Sequence, residues 1–167
     1  MERKTSYNKT DLINSGIGKL FGKDKGKLPM SPMLMMDRII HISDTGGKYG
    51  KGQIKAELDI KKSLWFFDCH FSGDPVMPGC LGLDGFWQLV GFFLTWIGGD
   101  GKGRALGVNS VRFTGEVLKK VKLASYEIDM KKVLKTEGGT VGFADGILKA
   151  DGKQIYSAEN LKVGVYK

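Results

Sequence analysis

From residue 53 to residue 60 the chain reads QIKAELDI, with apolar and polar residues alternating. A period of two predicts a strand with one buried face. The segment before it, MLMMDRIIHIS (33–43), carries Ile39, Ile40 and Ile42 and runs into the turn-rich DTGGKYGKG. The two segments therefore predict a hairpin. The C-terminal half repeats the strand pattern in RALGVNSVRFTGEV, KLASYEIDMKKVLK, TVGFADGILKA and QIYSAENLKVGVYK. Asp151-Gly152-Lys153 marks a tight turn between the last two. One stretch breaks the pattern. LGLDGFWQLVGFFLTWI (81–97) is apolar nearly all round, which predicts a helix buried on every side, ended by Gly98, Gly99, Gly101 and Gly103. A short helix is expected over 9–16, capped by Thr10 and closed by Gly16. These elements predict an α+β protein: an antiparallel sheet, strands adjacent in chain order, wrapped around one long apolar helix. One domain over 1–167 is expected, with a helical extension over about 1–28.

Charge adds a partner to this picture. Lys and Arg total 26 against 18 Asp and Glu, a net charge of +8. Such a surplus attracts nucleic acid, anionic membrane or an acidic protein. The densest basic run, MKKVLK at 130–135, is interrupted by apolar residues, and no basic stripe with interleaved aromatics points to nucleic acid. The longest apolar run, FWQLVGFFLTWI, has 12 residues and includes Gln88 and Thr95, too short to cross a bilayer. MERKTSYNKTDL lacks an apolar leader, so a cytoplasmic location is expected. GGKYGKG and GGDGKGRALG lack the Gly-Lys-Ser/Thr of a phosphate loop and read as turns.

The chemistry concentrates in DCHFSGDPVMPGCLGLDGFWQ (68–88). Asp68, His70, Asp74 and Asp84 match no metal-ligand spacing, so neither metal nor cofactor is expected. His41 reads as an ordinary strand residue, Cys69 as a core residue and Cys80 as a small residue at a helix start. Met30, Met33, Met35 and Met36 read as adaptable packing near an apolar pocket or interface. His70, beside Phe66, Phe67 and Phe71, is either a satisfied core histidine or a base. Asp84 falls early in the apolar helix, where a carboxylate is costly unless paired or used. Met77-Pro78-Gly79-Cys80 reads as the helix start, whose free N–H groups suit an oxyanion. The residues alone leave two readings open: a buried turn, or an acid–base site for removing a proton next to a carbonyl.

LWFFDCHFSGDPVMPGCLGLDGFWQLVGFF resembles the signature of bacterial 3-hydroxyacyl-(acyl-carrier-protein) dehydratases. It is most similar to the branch that both dehydrates 3-hydroxydecanoyl thioesters and isomerises the product. LMMDRI, GKGRALGV, VRFTGEVL and LKVGVY are similar to that family too, so the resemblance covers nearly the whole chain. It implies a hot-dog fold and a homodimer in which the His of one subunit works with the Asp of the other. It implies His70 as general base, Asp84 as the acid that protonates the departing hydroxyl, and the Gly79 N–H, in the Gly79-Cys80 step, as the group polarising the thioester carbonyl. The Val76 carbonyl would accept from the second His70 nitrogen. Phe71, Phe86, Trp87, Phe92 and Phe93 are candidate walls of an acyl tunnel. The acidic acyl carrier protein would account for the charge surplus, with Lys131, Lys132, Lys135 and Arg104 as candidate docking residues. Asp84, where strict dehydratases carry Glu, and the Gly79-Cys80 pair favour the branch that moves the double bond from trans-2 to cis-3. Two departures stand against a full match: Gly85-Phe86 replaces an expected small residue and Met, and Ser72 replaces an apolar residue. Phe86 is thus a candidate to reshape the tunnel and remove the isomerase step, leaving a strict dehydratase.

Overall fold

The computed structural model describes residues 3–167. Ten elements follow in chain order: α1 (Lys9–Gly16), β1 (Arg38–Ser43), β2 (Gln53–Asp59), α2 (Phe66–Cys69), α3 (Gly79–Trp96), β3 (Lys102–Gly107), β4 (Ser110–Phe113), β5 (Leu123–Thr136), β6 (Gly139–Ala150) and β7 (Lys153–Tyr166). The seven strands form one antiparallel sheet ordered β1-β2-β5-β6-β7-β3, with β4 also on β7. Strict alternation of buried and half-buried residues along β2 and β6 gives the sheet one apolar face. α3 lies on that face against β5, β6 and β7. Its Phe86, Leu89, Val90, Phe93 and Leu94 are almost wholly buried, as the missing polar face demanded. This is the hot-dog arrangement.

Three details differ from expectation. The strands are not all neighbours in chain order: β3 and β4 lie along β7, at the edge opposite β1. Local periodicity does not encode which distant strand a segment pairs with. The cap of α1 is Asn8, not Thr10: its side chain accepts the Asp11 N–H at 3.0 Å, and the Asp11 carboxylate accepts the Asn8 N–H at 3.1 Å. This reciprocal capping box satisfies two otherwise free donors. Cys69 is exposed, because the short α2 sends Phe66 and Phe67 into the core instead.

Close approach of helix and sheet depends on glycine. Tyr126, Leu148, Tyr156 and Phe113 sit in register across β5, β6, β7 and β4. Gly79, Gly82 and Gly85 of α3 face Phe113, Tyr156 and Tyr126 respectively; a Cβ at any of them would lie 2.6–2.8 Å from a ring carbon. The 151–153 turn forms as expected, with Asp151 and Gly152 both at positive φ.

On the polar face of the sheet, Asp129 and Asp145 hold down the β1–β2 loop. Asp129 accepts the Lys48 N–H at 3.0 Å and the Gln53 amide at 2.9 Å. Asp145 accepts from the Tyr49 hydroxyl and from the Asn160 N–H, and pairs with Lys131 at 3.5 Å. Partial burial pushes the Asp145 carboxyl up, but the Tyr49 and Asn160 hydrogen bonds and Lys131 outweigh it and hold it below the usual 3.8. A depressed carboxyl stabilises the fold above its unfolded value, and that contribution is lost as pH falls through the folded value. Asp145→Asn therefore lowers the melting temperature at pH 6, and its deficit against wild type shrinks as the pH is lowered from about 4. Thermal melts of both proteins between these conditions check this; a deficit independent of pH overturns it.

Candidate active site

His70 stands at the exit of α2. Burial of Phe66 and Phe67 anchors that helix, and the His70 N–H closes it on the Phe66 carbonyl at 2.9 Å. The chain then folds back on itself: the Val76 N–H donates to the His70 carbonyl at 2.7 Å, and Phe71 and Asp74 exchange backbone bonds at 2.7 and 3.0 Å. Gly73, at φ +75°, makes that turn. This closed loop holds His70 Nδ1 2.9 Å from the Val76 carbonyl oxygen. A carbonyl only accepts, so Nδ1 carries a hydrogen, and in the neutral ring the lone pair is then on Nε2. Val76 is held in turn by a bridge to Leu118, and the Met77 N–H by the Val117 carbonyl at 3.0 Å. The Phe71 ring lies over the imidazole, centroids 3.8 Å apart, and is 55% exposed.

Two residues past Met77, α3 begins. Pro78 occupies the cap position and offers no side-chain acceptor. Among the described residues the N–H groups of Gly79 and Cys80 have no acceptor. They are the free donors at a helix's positive end. Gly79 also admits the Phe113 ring, which a Cβ would meet at 2.8 Å. Cys80 is exposed on this turn, and the Tyr156 hydroxyl nearby is pushed up to about 12 by burial, with Glu116 and Cys80 adding to it.

Asp84 occupies the next turn but another face. Five residues separate it from Gly79, which is roughly 140° around the helix and about 7.5 Å along it. Its partner is Gln88, a residue absent from the sequence reading as a functional group. The Gln88 amide nitrogen donates to Asp84 Oδ2 at 2.6 Å and to the Met33 carbonyl at 2.8 Å, while its oxygen accepts the Met35 N–H at 3.1 Å. The backbone contacts fix the amide's orientation, so Gln88 can only donate to Asp84. A polar residue four positions after an acid in an apolar helix was the available signal. Its backbone partners, more than fifty residues away, were not visible.

Asp84 and Gln88 open into a cleft of about 190 Å³ lined also by Leu28, Trp87, Phe92 and Thr95. Trp87 is fixed by its indole N–H on the Gly107 carbonyl at 3.0 Å. Of the other candidate tunnel residues, Phe86 and Phe93 lie in the core, Phe86 against Gly146 and Tyr126. Phe71 stays with His70. One chain thus carries two separate groups: His70, Val76, Gly79 and Cys80 around the start of α3, and Asp84, Gln88, Trp87 and Phe92 along the cleft. His70 does not line the cleft and shares no hydrogen bond with Asp84. The described residues contain no cluster of three or more metal-ligating side chains, and no helix among them is long and apolar enough to cross a membrane.

Solved structures with the same architecture define the class. A chain of the dehydratase heterocomplex ApeI:P from Xenorhabdus doucetiae superposes with a TM-score of 0.59 at 15% identity, covering 83% of this chain and 85% of that one. A hypothetical thioesterase protein with coenzyme A from Streptococcus pneumoniae TIGR4 gives 0.53 at 13% identity, over 76% and 83%. AziG from S. sahachiroi gives 0.53 at 9% identity, over 77% and 90%. At these identities the likeness is one of fold: the protein is a hot-dog protein. Residues 28–159 match the FabA-like domain, most of the chain, and the protein belongs to that family.

Proposed function

We propose that the protein dehydrates 3-hydroxyacyl thioesters carried on acyl carrier protein and isomerises the trans-2 product to the cis-3 isomer. The observation that carries this reading is the His70–Val76 contact: it leaves Nε2 as a free base beside the open start of α3. A thioester whose carbonyl oxygen accepts from the Gly79 and Cys80 N–H groups has its C2 hydrogen made acidic. His70 Nε2 takes that proton, and the electron pair moves to the carbonyl oxygen held at the helix start. The pair then returns to form the C2–C3 double bond as the C3–O bond breaks. Asp84 gives a proton to the leaving hydroxyl, which departs as water. Because Gln88 donates to Oδ2, Oδ1 is the oxygen left to carry and give up the acid proton. For isomerisation, His70 first gives up the C2 proton and Asp84 regains one by exchange with water. Nε2 then takes a proton from C4, the electron pair moves through C3–C4 to the carbonyl oxygen, and the proton is returned to C2, leaving the double bond at C3–C4.

The separation of the two groups within one chain supports a site built from two copies. β3 and β4 have β7 on one side only and leave an open sheet edge bearing the exposed Leu106 and Phe113. The same edge borders the Asp84 cleft through Gly103, Arg104 and Ala105, so a second copy paired there would bring its His70 loop towards this Asp84. Phe86 lies in the core and does not line the cleft, so it gives no ground for preferring dehydration alone. For the carrier, Lys132 and Lys135 form the better part of the expected basic surface, since Lys131 is paired with Asp145. Incubation with 3-hydroxydecanoyl thioester, with chromatographic separation of trans-2 and cis-3 products, tests the reading. Both products are expected; no loss of water sinks it, and trans-2 product alone sinks the isomerase part.

A further inference from the structure

The helix α1 lies outside the residues that match the family domain, yet the N-terminal segment is built into the Asp84 cleft. Ser15, Gly26 and Leu28 line that cleft, and the Tyr7 ring packs edge-on against Phe92 with centroids 5.0 Å apart. Tyr7 also exchanges two backbone hydrogen bonds with Ile39, both 2.9 Å, which sets the start of α1 against β1. Lys9, the first residue of α1, uses that placement. Its Nζ donates to one oxygen of Asp37 at 2.8 Å and to the Met36 carbonyl at 3.2 Å. The other Asp37 oxygen accepts the Asp59 N–H at 2.9 Å, so one carboxylate ties α1 to β2. Residues 32–37 belong to no helix or strand, and side chains hold them in place. Trp65 donates to the Pro32 carbonyl at 3.3 Å, Gln88 bonds Met33 and Met35, and Lys9 bonds Met36.

We propose that Lys9 is a positioning residue for the acid Asp84, acting through residues 33–37 and the Gln88 amide. This inference rests on the dehydratase reading of Asp84. Lys9 does not line the cleft; it fixes the peptide next to the Met35 N–H that orients Gln88. The two ends of an amide are nearly the same size, and here only the Met35 N–H and the Met33 carbonyl tell them apart. If residues 33–36 drift, the amide is free to turn over and aim its oxygen at Asp84. A protonated Asp84 then donates into Gln88, and the acid proton is held inside the helix instead of going to the leaving hydroxyl. The Lys9 and Asp37 side chains are 40% and 25% exposed, so the pair's own energy is small and the expected effect is modest. What Lys9 supplies is a fixed place for the Met36 carbonyl.

Lys9→Met keeps the apolar stem and removes the donors. With 3-hydroxydecanoyl-N-acetylcysteamine as substrate, kcat is expected to fall about fivefold, the upper range for a pair this exposed, with KM unchanged. In a Gln88→Met background the same substitution changes nothing further, because no amide is left to orient. An equal loss in both backgrounds, a loss confined to KM, or an unchanged kcat overturns the role. If wild type dehydrates nothing, the dehydratase reading has failed instead. The positioning is then decided by the Gln88 side-chain amide signals in a nitrogen–proton NMR correlation spectrum, identified by their loss in Gln88→Met. Displaced signals in Lys9→Met uphold it, and signals that stay in place refute it.

Discussion

His70→Ala and Asp84→Asn each lower dehydration of 3-hydroxydecanoyl thioester by about 10³-fold or more, the scale of a lost general base or acid, while both variants melt as folded proteins. In Asp84→Asn the new amide is nearly isosteric with the carboxyl and still offers Gln88 an acceptor, so the substitution removes the transferable proton and little else. His70 is half-buried at the surface end of α2, with Phe66 and Phe67 doing the anchoring, so its truncation leaves the core intact. The informative step is to mix them. If the base of one subunit serves the acid of the other, a mixed dimer has one site with both groups intact and one with neither. Random exchange makes half the dimers mixed, so activity returns to about a quarter of wild type. A site contained within one chain gives no rescue at all. No rescue, with exchange confirmed by native mass spectrometry, eliminates the shared site. The geometry supports rescue, because Gly79 and Asp84 face roughly 140° apart on one rigid helix, and His70 is not among the residues that line the Asp84 cleft.

The parts of this arrangement that were legible in the sequence are those set by local periodicity and turn chemistry. The alternation in QIKAELDI, the all-apolar run of α3 and the Asp151-Gly152 turn each encode their own structure over a few residues. Candidate chemistry was legible for the same reason, since His70, Gly79 and Asp84 fall within fifteen residues. What stayed hidden depends on residues far apart in the chain. β3 finds β7 across some sixty positions, Gln88 is oriented by the backbone of Met33 and Met35, and Lys9 meets Asp37 across 28 residues. None of these pairings leaves a mark in composition or period. Cys69 departs from its expected burial because a small apolar side chain in an apolar stretch says nothing about which side of a four-residue helix it takes.

Gly82→Ala is expected to destabilise the protein by about 2 kcal/mol, against the usual sign of that substitution. In an exposed helix interior, Ala gains about 1 kcal/mol over Gly by limiting the unfolded backbone. At residue 82 the new Cβ would lie 2.6 and 2.9 Å from two ring carbons of Tyr156 and 3.3 Å from Leu148. The ring cannot retreat: Tyr156 is 3% exposed and packs edge-on against Phe113 at 4.8 Å. Overpacking of this kind costs about 3 kcal/mol and outweighs the backbone gain. Gly91, on the same helix, is the control, because its Cβ would meet only Val163 at 3.7 Å. Gly91→Ala should therefore raise stability by up to about 1 kcal/mol. The clash involves ring carbons and not the hydroxyl, so Tyr156→Phe leaves the cost of Gly82→Ala unchanged. Tyr156→Leu removes the offending edge, and the double variant should be at least about 1 kcal/mol more stable than the two single losses summed. Urea unfolding of wild type and each single and double variant gives the values. If Gly82→Ala and Gly91→Ala shift stability alike, close packing of α3 on the tyrosine row is not what keeps residue 82 a glycine.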